Sequence, residues 1–231
     1  MPIVGSGTVS LLSLANEFGG SVPHSLSEYY RNPSGPVPRT ETSVPTSGLI
    51  SLSQFYGTER VNAGSSTYTS PGTYYLTVPA HNQIYMQAWG AGGGGGGSWY
   101  DIGPTPGTAG GAGGDSYVTI PGYGTMYGFG GGGGPTWLAG SAANGGASSG
   151  NTANTTGGGI GGGAGGVYGA SFGATGGTGG YSQSNFTFGV TSGAPGQGVT
   201  LTIVVGQGGA GGFGQVNGSA GGNGQVVVGW S

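Results

Sequence analysis

Residues 88–97 read Ala88-Trp89-Gly90-Ala91-Gly92-Gly93-Gly94-Gly95-Gly96-Gly97, an apolar strand ending that runs directly into glycine. The pattern returns at 130–134 and 157–166, and the rest of the chain is arranged around it. Only seven of the 63 glycines fall in residues 1–60, so the remainder of the chain is a different material. Glycine in regular structure costs about 0.5–1 kcal/mol relative to alanine, and its buried N–H and C=O groups still need partners. Such runs either stay disordered or pack backbone against backbone so closely that only a residue without Cβ fits. The second reading predicts extended glycine strands laid side by side, left-handed, with three residues per turn and paired laterally. Collagen is excluded because no strict Gly-X-Y period exists.

Short strands of alternating polarity separate these runs. Gln83–Trp89 places Ile84, Met86 and Ala88 on one face and Tyr85, Gln87 and Trp89 on the other. Further strands are expected at 67–70, 73–78, Ser116–Ile120, 125–129, 199–205 and Gln225–Trp230, with Pro71-Gly72 turning the first two into a hairpin. The expected core is Leu76, Val78, Ile84, Met86, Val118, Ile120, Leu201, Ile203, Val205, Val226, Val228 and Trp230. The fold class is mainly β: an N-terminal anchor of short helices and extended segments over 1–60, then a β-sandwich or jelly-roll-like domain over 61–231. Polyglycine-II-like insertions would project from one end of that domain.

Only 4% of the residues are charged, and the three basic ones are Arg31, Arg39 and Arg60. Partners that need positive charge, nucleic acid and anionic membranes among them, are set aside because 61–231 contains no basic residue. No cysteine is present, so disulfide frameworks and thiolate metal sites are absent. The first eighteen residues lack a basic start and a continuous apolar stretch, and no run of 18 apolar residues occurs, so neither a signal peptide nor a membrane span is expected.

Residues 1–60 carry an internal repeat. Ser25-Leu26-Ser27-Glu28-Tyr29-Tyr30 recurs as Ser51-Leu52-Ser53-Gln54-Phe55-Tyr56, with a looser copy in Ser13-Leu14-Ala15-Asn16-Glu17-Phe18. The two close copies fit the S-x-x-E/Q capping box, which predicts a helix of one or two turns at each. Helices that short need a surface to lie on. Leu14, Phe18, Leu26, Tyr29, Tyr30, Leu52, Phe55 and Tyr56 are therefore expected to be pegs that insert into another protein, spaced by the proline-rich stretch 33–45. The competing reading folds them back onto this chain.

Catalysis has little support. The glycine-rich half offers His81 with only Asp101 and Asp115 as acids, a pair that could flank a glycosidic bond but more simply lies in solvated loops. G-x-G-x-x-G matches carry no weight in a glycine tract. The expectation is a non-enzymatic protein without cofactor or metal. Binding has better support, because aromatic clusters stand between the glycine runs: Trp99, Tyr100 and Asp101, then Trp137, Tyr168, Phe172 and Tyr181. Aromatic faces beside Asn, Gln, Ser and Thr suit sugar rings and exposed protein loops.

The phrases Asn16-Glu17-Phe18-Gly19-Gly20, Ser25 to Arg31 and Pro45-Thr46-Ser47-Gly48-Leu49-Ile50-Ser51-Leu52-Ser53-Gln54-Phe55-Tyr56-Gly57 resemble a segment common in bacteriophage tail and baseplate proteins. Ala88-Trp89-Gly90-Ala91-Gly92-Gly93 and Gly222-Asn223-Gly224-Gln225-Val226-Val227-Val228-Gly229-Trp230 resemble the glycine-rich β-domain of phage tail fibres. More loosely, the chain is similar to the tip adhesins of T-even-like phages. The resemblance implies a virion-borne fibre or adhesin, assembled in the host cytoplasm as a homotrimer. Its N-terminus would be held by baseplate or tail proteins, and its glycine-rich loops would bind a host cell-surface glycan or outer-membrane protein. The alternative is a purely structural virion part, such as a baseplate plug or capsid decoration protein.

Overall fold

Ser10 caps the first helix of the N-terminal unit. In the computed structural model, which describes residues 2–32, 35–98, 107–136, 153–155, 160–164, 167–168 and 171–231, Ser13 N–H donates to Ser10 Oγ (3.1 Å) and Ser10 N–H donates to Ser13 Oγ (3.3 Å). This reciprocal cap starts α1 (Leu11–Phe18), and Gly19 ends it at φ 77°, donating to the Ala15 carbonyl at 2.9 Å. The close repeats form 3-10 turns instead, Leu26–Tyr29 and Leu52–Phe55. Only the second has its cap closed by Gln54, whose Oε1 accepts the Ser51 N–H at 2.8 Å.

Helix type explains the imperfect repeat. An α-helix brings residues four apart onto one face and a 3-10 helix aligns residues three apart. The loose copy spaces its leucine and aromatic by four (Leu14, Phe18), and the close copies space theirs by three (Leu26, Tyr29; Leu52, Phe55).

Those side chains meet one another. Leu14, Phe18, Tyr29 and Phe55 are buried in one cluster with Ile3, Val9, Val37 and Val44, and Leu26 and Leu52 pack against it. The rings of Phe18, Tyr29 and Phe55 lie 6.3–6.4 Å apart in pairs. Tyr30 and Tyr56 lie outside the cluster, and their hydroxyls donate to the carbonyls of Gly48 and Gly7. The expectation of free pegs is thus corrected: the repeat builds its own small core, because three short turns that are each unstable alone bury their apolar faces together. The proline-rich stretch is corrected too, since Val37 and Val44 belong to this core rather than to a spacer.

Two antiparallel sheets follow. β1 (Gly64–Tyr68), β3 (Gln83–Trp89), β6 (Ala153–Thr155), β9 (Tyr181–Thr187) and β11 (Gln225–Trp230) form one, in the order β1-β11-β3-β9-β6. β2 (Gly72–Thr77), β4 (Ser116–Ile120), β5 (Gly124–Gly128) and β10 (Thr200–Val205) form the other, in the order β2-β10-β4-β5. Among the described residues, β7 (Val167–Tyr168) and β8 (Ser171–Phe172) pair with each other. The sheets share one apolar core: Ile84, Met86, Phe186, Val226 and Val228 from the first, and Val118, Ile120, Met126, Leu201, Ile203 and Val205 from the second.

The expected hairpin at Pro71-Gly72 does not form. β1 pairs with β11 and β2 with β10, so this turn carries the chain from one sheet to the other. β9 escaped the sequence reading because Ser182 and Ser184 occupy inward positions where apolar residues are sought. They stand opposite Ala88 and Met86.

The long glycine runs meet β3, β4, β5, β9, β10 and β11 at one end of the sheets. Segment 90–98 continues β3, and its hydrogen bonds repeat every three residues. The N–H groups of Ala91, Gly94 and Gly97 reach Gly114, Gly111 and Thr108 (3.0, 2.8 and 3.0 Å). Those of Gly92, Gly95 and Ser98 reach Gly222, Ser219 and Val216 (2.9, 2.9 and 3.0 Å). Those of Gly90, Gly93 and Gly96 reach Gly180, Gly177 and Ala174 (2.8, 2.9 and 2.9 Å). Its carbonyls accept in the same rhythm: Ala91 and Gly94 from Gly131 and Gly134, Gly90 and Gly93 from Ile160 and Gly163, and Gly92 and Gly95 from Gly209 and Gly212.

Six segments therefore surround one: 107–114, 129–136, 173–180, 160–164, 216–224 and 206–214, in ring order. Adjacent ring members are bonded as well, through Gly113 to Gly131, Gly177 to Gly132, Gly176 to Gly163, Ser219 to Ala164, Gly221 to Gly209 and Gly111 to Ala210. Members antiparallel and parallel to the centre alternate, the first kind accepting its N–H groups and the second donating to its carbonyls.

The composition follows from this geometry. Residues 91–98 are buried throughout, and a Cβ on Gly94 would lie 1.9 Å from the Ala210 carbonyl oxygen and one on Gly93 2.0 Å from that of Gly132. Between Ala91 and Ser98 the strand with neighbours on every side has no room for side chains, whereas the ring segments 206–214 and 216–224 have one open side. On that side non-glycine residues stand three apart and exposed: Gln207, Ala210 and Phe213, and likewise Asn217, Ala220 and Asn223. The glycine runs, aperiodic over the chain as a whole, thus carry a local period of three in these two ring segments, while 129–136 keeps Gly130 to Gly134 unbroken.

Candidate contact surface at the far end of the glycine bundle

The N-terminal unit and the far end of the glycine bundle lie on opposite sides of the sheets. The unit is joined at the ends of the sheets away from the bundle. Arg39 N–H donates to Asn82 Oδ1 (2.7 Å), His81 N–H to Thr40 Oγ1 (3.0 Å) and Gln197 Nε2 to Glu59 Oε1 (3.0 Å). His81 is fully buried in this joint, with Nδ1 donating to the Pro79 carbonyl at 2.8 Å. Burial holds its pKa below the ordinary 6.5, against an opposing pull from the carbonyls of Pro79 and Pro195. Glu41 is buried there too; burial raises its carboxyl above the usual carboxylate value, and the Glu59 N–H that it accepts at 2.9 Å partly offsets the rise.

At the opposite end, Ser98 and Val216 close a bridge, each N–H donating to the other's carbonyl (3.0 and 3.2 Å). Thr108 N–H donates to the Phe213 carbonyl (2.8 Å), Phe213 N–H to Thr108 Oγ1 (2.7 Å) and Gly214 N–H to Asn217 Oδ1 (2.9 Å). Ala174 N–H donates to Pro135 at 3.1 Å, and Ala164 accepts from Ser219 at 2.8 Å. The described residues that flank 99–106 and 165–170, and the one from which 137–152 departs, thus lie at this end, whereas 137–152 ends at Ala153, which pairs with Gln183 in the sheets.

Those stretches, with β8 just beyond the third, carry most of the aromatic residues singled out above. Trp99, Tyr100, Asp101 and Trp137 lie outside the described residues. Tyr168 and Phe172 lie on β7 and β8, the hairpin between ring segments 160–164 and 173–180, in the register Val167 to Phe172 and Tyr168 to Ser171. Phe213, which sequence reasoning passed over, is 71% exposed here. Its signal was the three-residue spacing with Gln207 and Ala210.

Tyr181 is placed elsewhere. It opens β9 at the sheet end of the bundle, eight residues from Gly173, or roughly 25 Å at about 3.1 Å per residue for an extended chain with three residues per turn. Its ring packs on Trp89 at 5.0 Å, and its hydroxyl donates to Gln183 Oε1 (2.6 Å) while accepting from Gln87 Nε2 (2.9 Å).

Among the described residues, Asp115 and His81 do not converge. Asp115 Oδ1 accepts the Gly130 N–H at 2.8 Å at the bundle end of β4, with the sheets between it and His81. Among the described residues no group of three or more His, Cys, Asp or Glu could hold a metal ion, and no helix is long and apolar enough to cross a membrane. Comparison with family models, with curated proteins and with solved structures finds no match to this chain.

Proposed function

We propose that this chain is a non-enzymatic adhesin of the bacteriophage tail-fibre type. Residues 1–60 face the tail or baseplate, two sheets form a β-sandwich, and a polyglycine-II bundle of seven segments presents loops to a receptor on the host surface, a glycan or an outer-membrane protein. The observation that carries this reading is the axial order of the parts. The repeat-bearing unit joins one end of the sheets, and the stretches holding Trp99, Tyr100 and Trp137 leave from the far end of a bundle whose rigidity comes from main-chain hydrogen bonds. Rigid backbone gives loop residues a fixed pose without spending side chains on a core. The described part of this surface is nearly uncharged, so recognition rests on shape, stacking and hydrogen bonds. The bundle is complete within one chain, so a homotrimer would form through other surfaces.

The test replaces Trp99, Tyr100 and Trp137 together by alanine in assembled particles. Incorporation should be unchanged, and adsorption to host cells should fall at least about tenfold, as expected when aromatic anchors of an interface are truncated. Normal adsorption would contradict the receptor role. Deleting residues 1–60 should give the converse result, a folded bundle that no longer joins the particle.

A further inference from the structure

Two of the three positive charges of the chain line one cleft. Arg31 and Arg39, with Asn32, Thr46, Phe188 and Gly189, enclose about 500 Å³ where the N-terminal unit meets the sheets. Among the described residues no acidic side chain lines it. Arg31 donates from Nε to Val44 O and from Nη1 to Arg39 O, both at 3.0 Å. Arg39 donates from Nη1 to Phe188 O at 3.3 Å, and its Nε–H is buried without an acceptor. Neutral carbonyls thus fix both forks, and neither guanidinium has a carboxylate partner among the described residues. The acids of this unit are engaged elsewhere: Glu41 accepts from Glu59 N–H, Glu17 from Arg60 N–H and Glu59 from Gln197, and Glu28 lies 3.5 Å from His24 Nδ1.

Holding two cations in a partly enclosed site without a countercharge is unfavourable, and a buried N–H without an acceptor adds to the cost. A chain with 4% charged residues that nonetheless brings two arginines from positions 31 and 39 to the same cleft has a place for an anion. We propose that this cleft binds a carboxylate presented by a protein chain, a free C-terminus above all. Guanidinium forks match the planar carboxylate in paired hydrogen bonds. Phe188 offers an apolar wall for the adjoining side chain, and the volume falls within the range of sites for small ligands. A net charge of −3 disfavours polymers of phosphate. That the protein chain in question belongs to the particle rests on the docking role proposed above.

The assay follows arginine Nε–H and Gly189 amide signals by NMR while the full chain is titrated with acetyl-Ala-Leu bearing a free C-terminus, with the same peptide amidated, and with inorganic phosphate. The free-acid peptide should shift both signals saturably, and its binding should weaken at least about tenfold on amidation or in Arg39→Gln, the loss expected from charge-assisted hydrogen bonds. Thr46→Glu, at an exposed position, should block the cleft with its own carboxylate and leave the remaining amide spectrum unchanged. Equal binding of the amidated peptide, preference for phosphate, or no saturable shift in the folded wild-type chain would overturn the proposal. Particles that incorporate Arg39→Gln normally would overturn the assignment of the carboxylate to the docking partner. The deletion of 1–60 tests the docking role separately.

Discussion

The sheet core and the glycine bundle are both buried and both ordered, yet they respond to volume in opposite ways. Between the sheets, Leu201, Ile203, Met86 and Phe186 fill space with side chains, so the danger is an empty cavity. In the bundle the space is already filled by carbonyl oxygens and peptide nitrogens, so the danger is a single added methyl. Stability in the first comes from removing apolar surface from water. In the second it comes from satisfying every main-chain donor and acceptor at once.

Substitutions of opposite size sharpen this contrast. Gly94→Val has the largest expected effect. Its side chain would meet the Ala210 and Gly209 carbonyls, which cannot turn aside as a side chain can, so the loss should exceed about 3 kcal/mol, the upper end for overpacked cores. Denaturant unfolding with glycine amides as probes would show it, and a wild-type midpoint would break the comparison. Phe55→Ala should cost about 3–5 kcal/mol and Leu201→Ala about 2–5 kcal/mol by leaving cavities. The first should loosen the N-terminal unit and the second the sheets, as seen in which amides lose protection.

A smaller effect is expected from pH. Since burial depresses the His81 pKa, the unfolded chain takes up a proton below pH 6.5 that the folded chain refuses, so stability from this group is present above 6.5 and is lost as the pH falls. Melting temperature between pH 7.5 and 5.5 should drop more for the wild type than for His81→Asn; equal drops would remove His81 as the cause. Smallest of all, Ala220→Ser on the open side of a ring segment should change stability by less than about 0.5 kcal/mol. A larger loss would mean that the ring has no free face.

The sheets were legible in the sequence because apolar alternation reports burial directly, as Gln83–Trp89 shows, and because a short valine run such as Val226 to Val228 favours a strand. β9 was not, because serines facing Met86 and Ala88 leave no apolar trace. Pairing was less legible than strands: Pro71-Gly72 announces a turn, but nothing local says whether a turn stays within one sheet or changes sheets. The repeat in 1–60 was visible, but its destination was not. A leucine and an aromatic spaced for one helical face look the same whether that face meets a partner or its own copies. In the bundle, the unbroken glycines at 92–97 differ from the interrupted runs at 206–214 and 216–224 because the first segment has neighbours on all sides and the other two have an open side. That distinction can be read from sequence once the three-residue period is sought run by run. The candidate surface was legible only as a set of aromatics. The separation of Tyr181 from the rest depends on strand placement, and the exposure of Phe213 depends on ring position.

Amide hydrogen exchange at Gly93, Gly94 and Gly95, measured residue by residue in the intact chain, probes the premise behind every part of this account, that main chain alone can rigidify main chain. Protection equal to that of Met86 and Val226 in the sheet core is the predicted result. Exchange at the rate of an unstructured glycine peptide would contradict it.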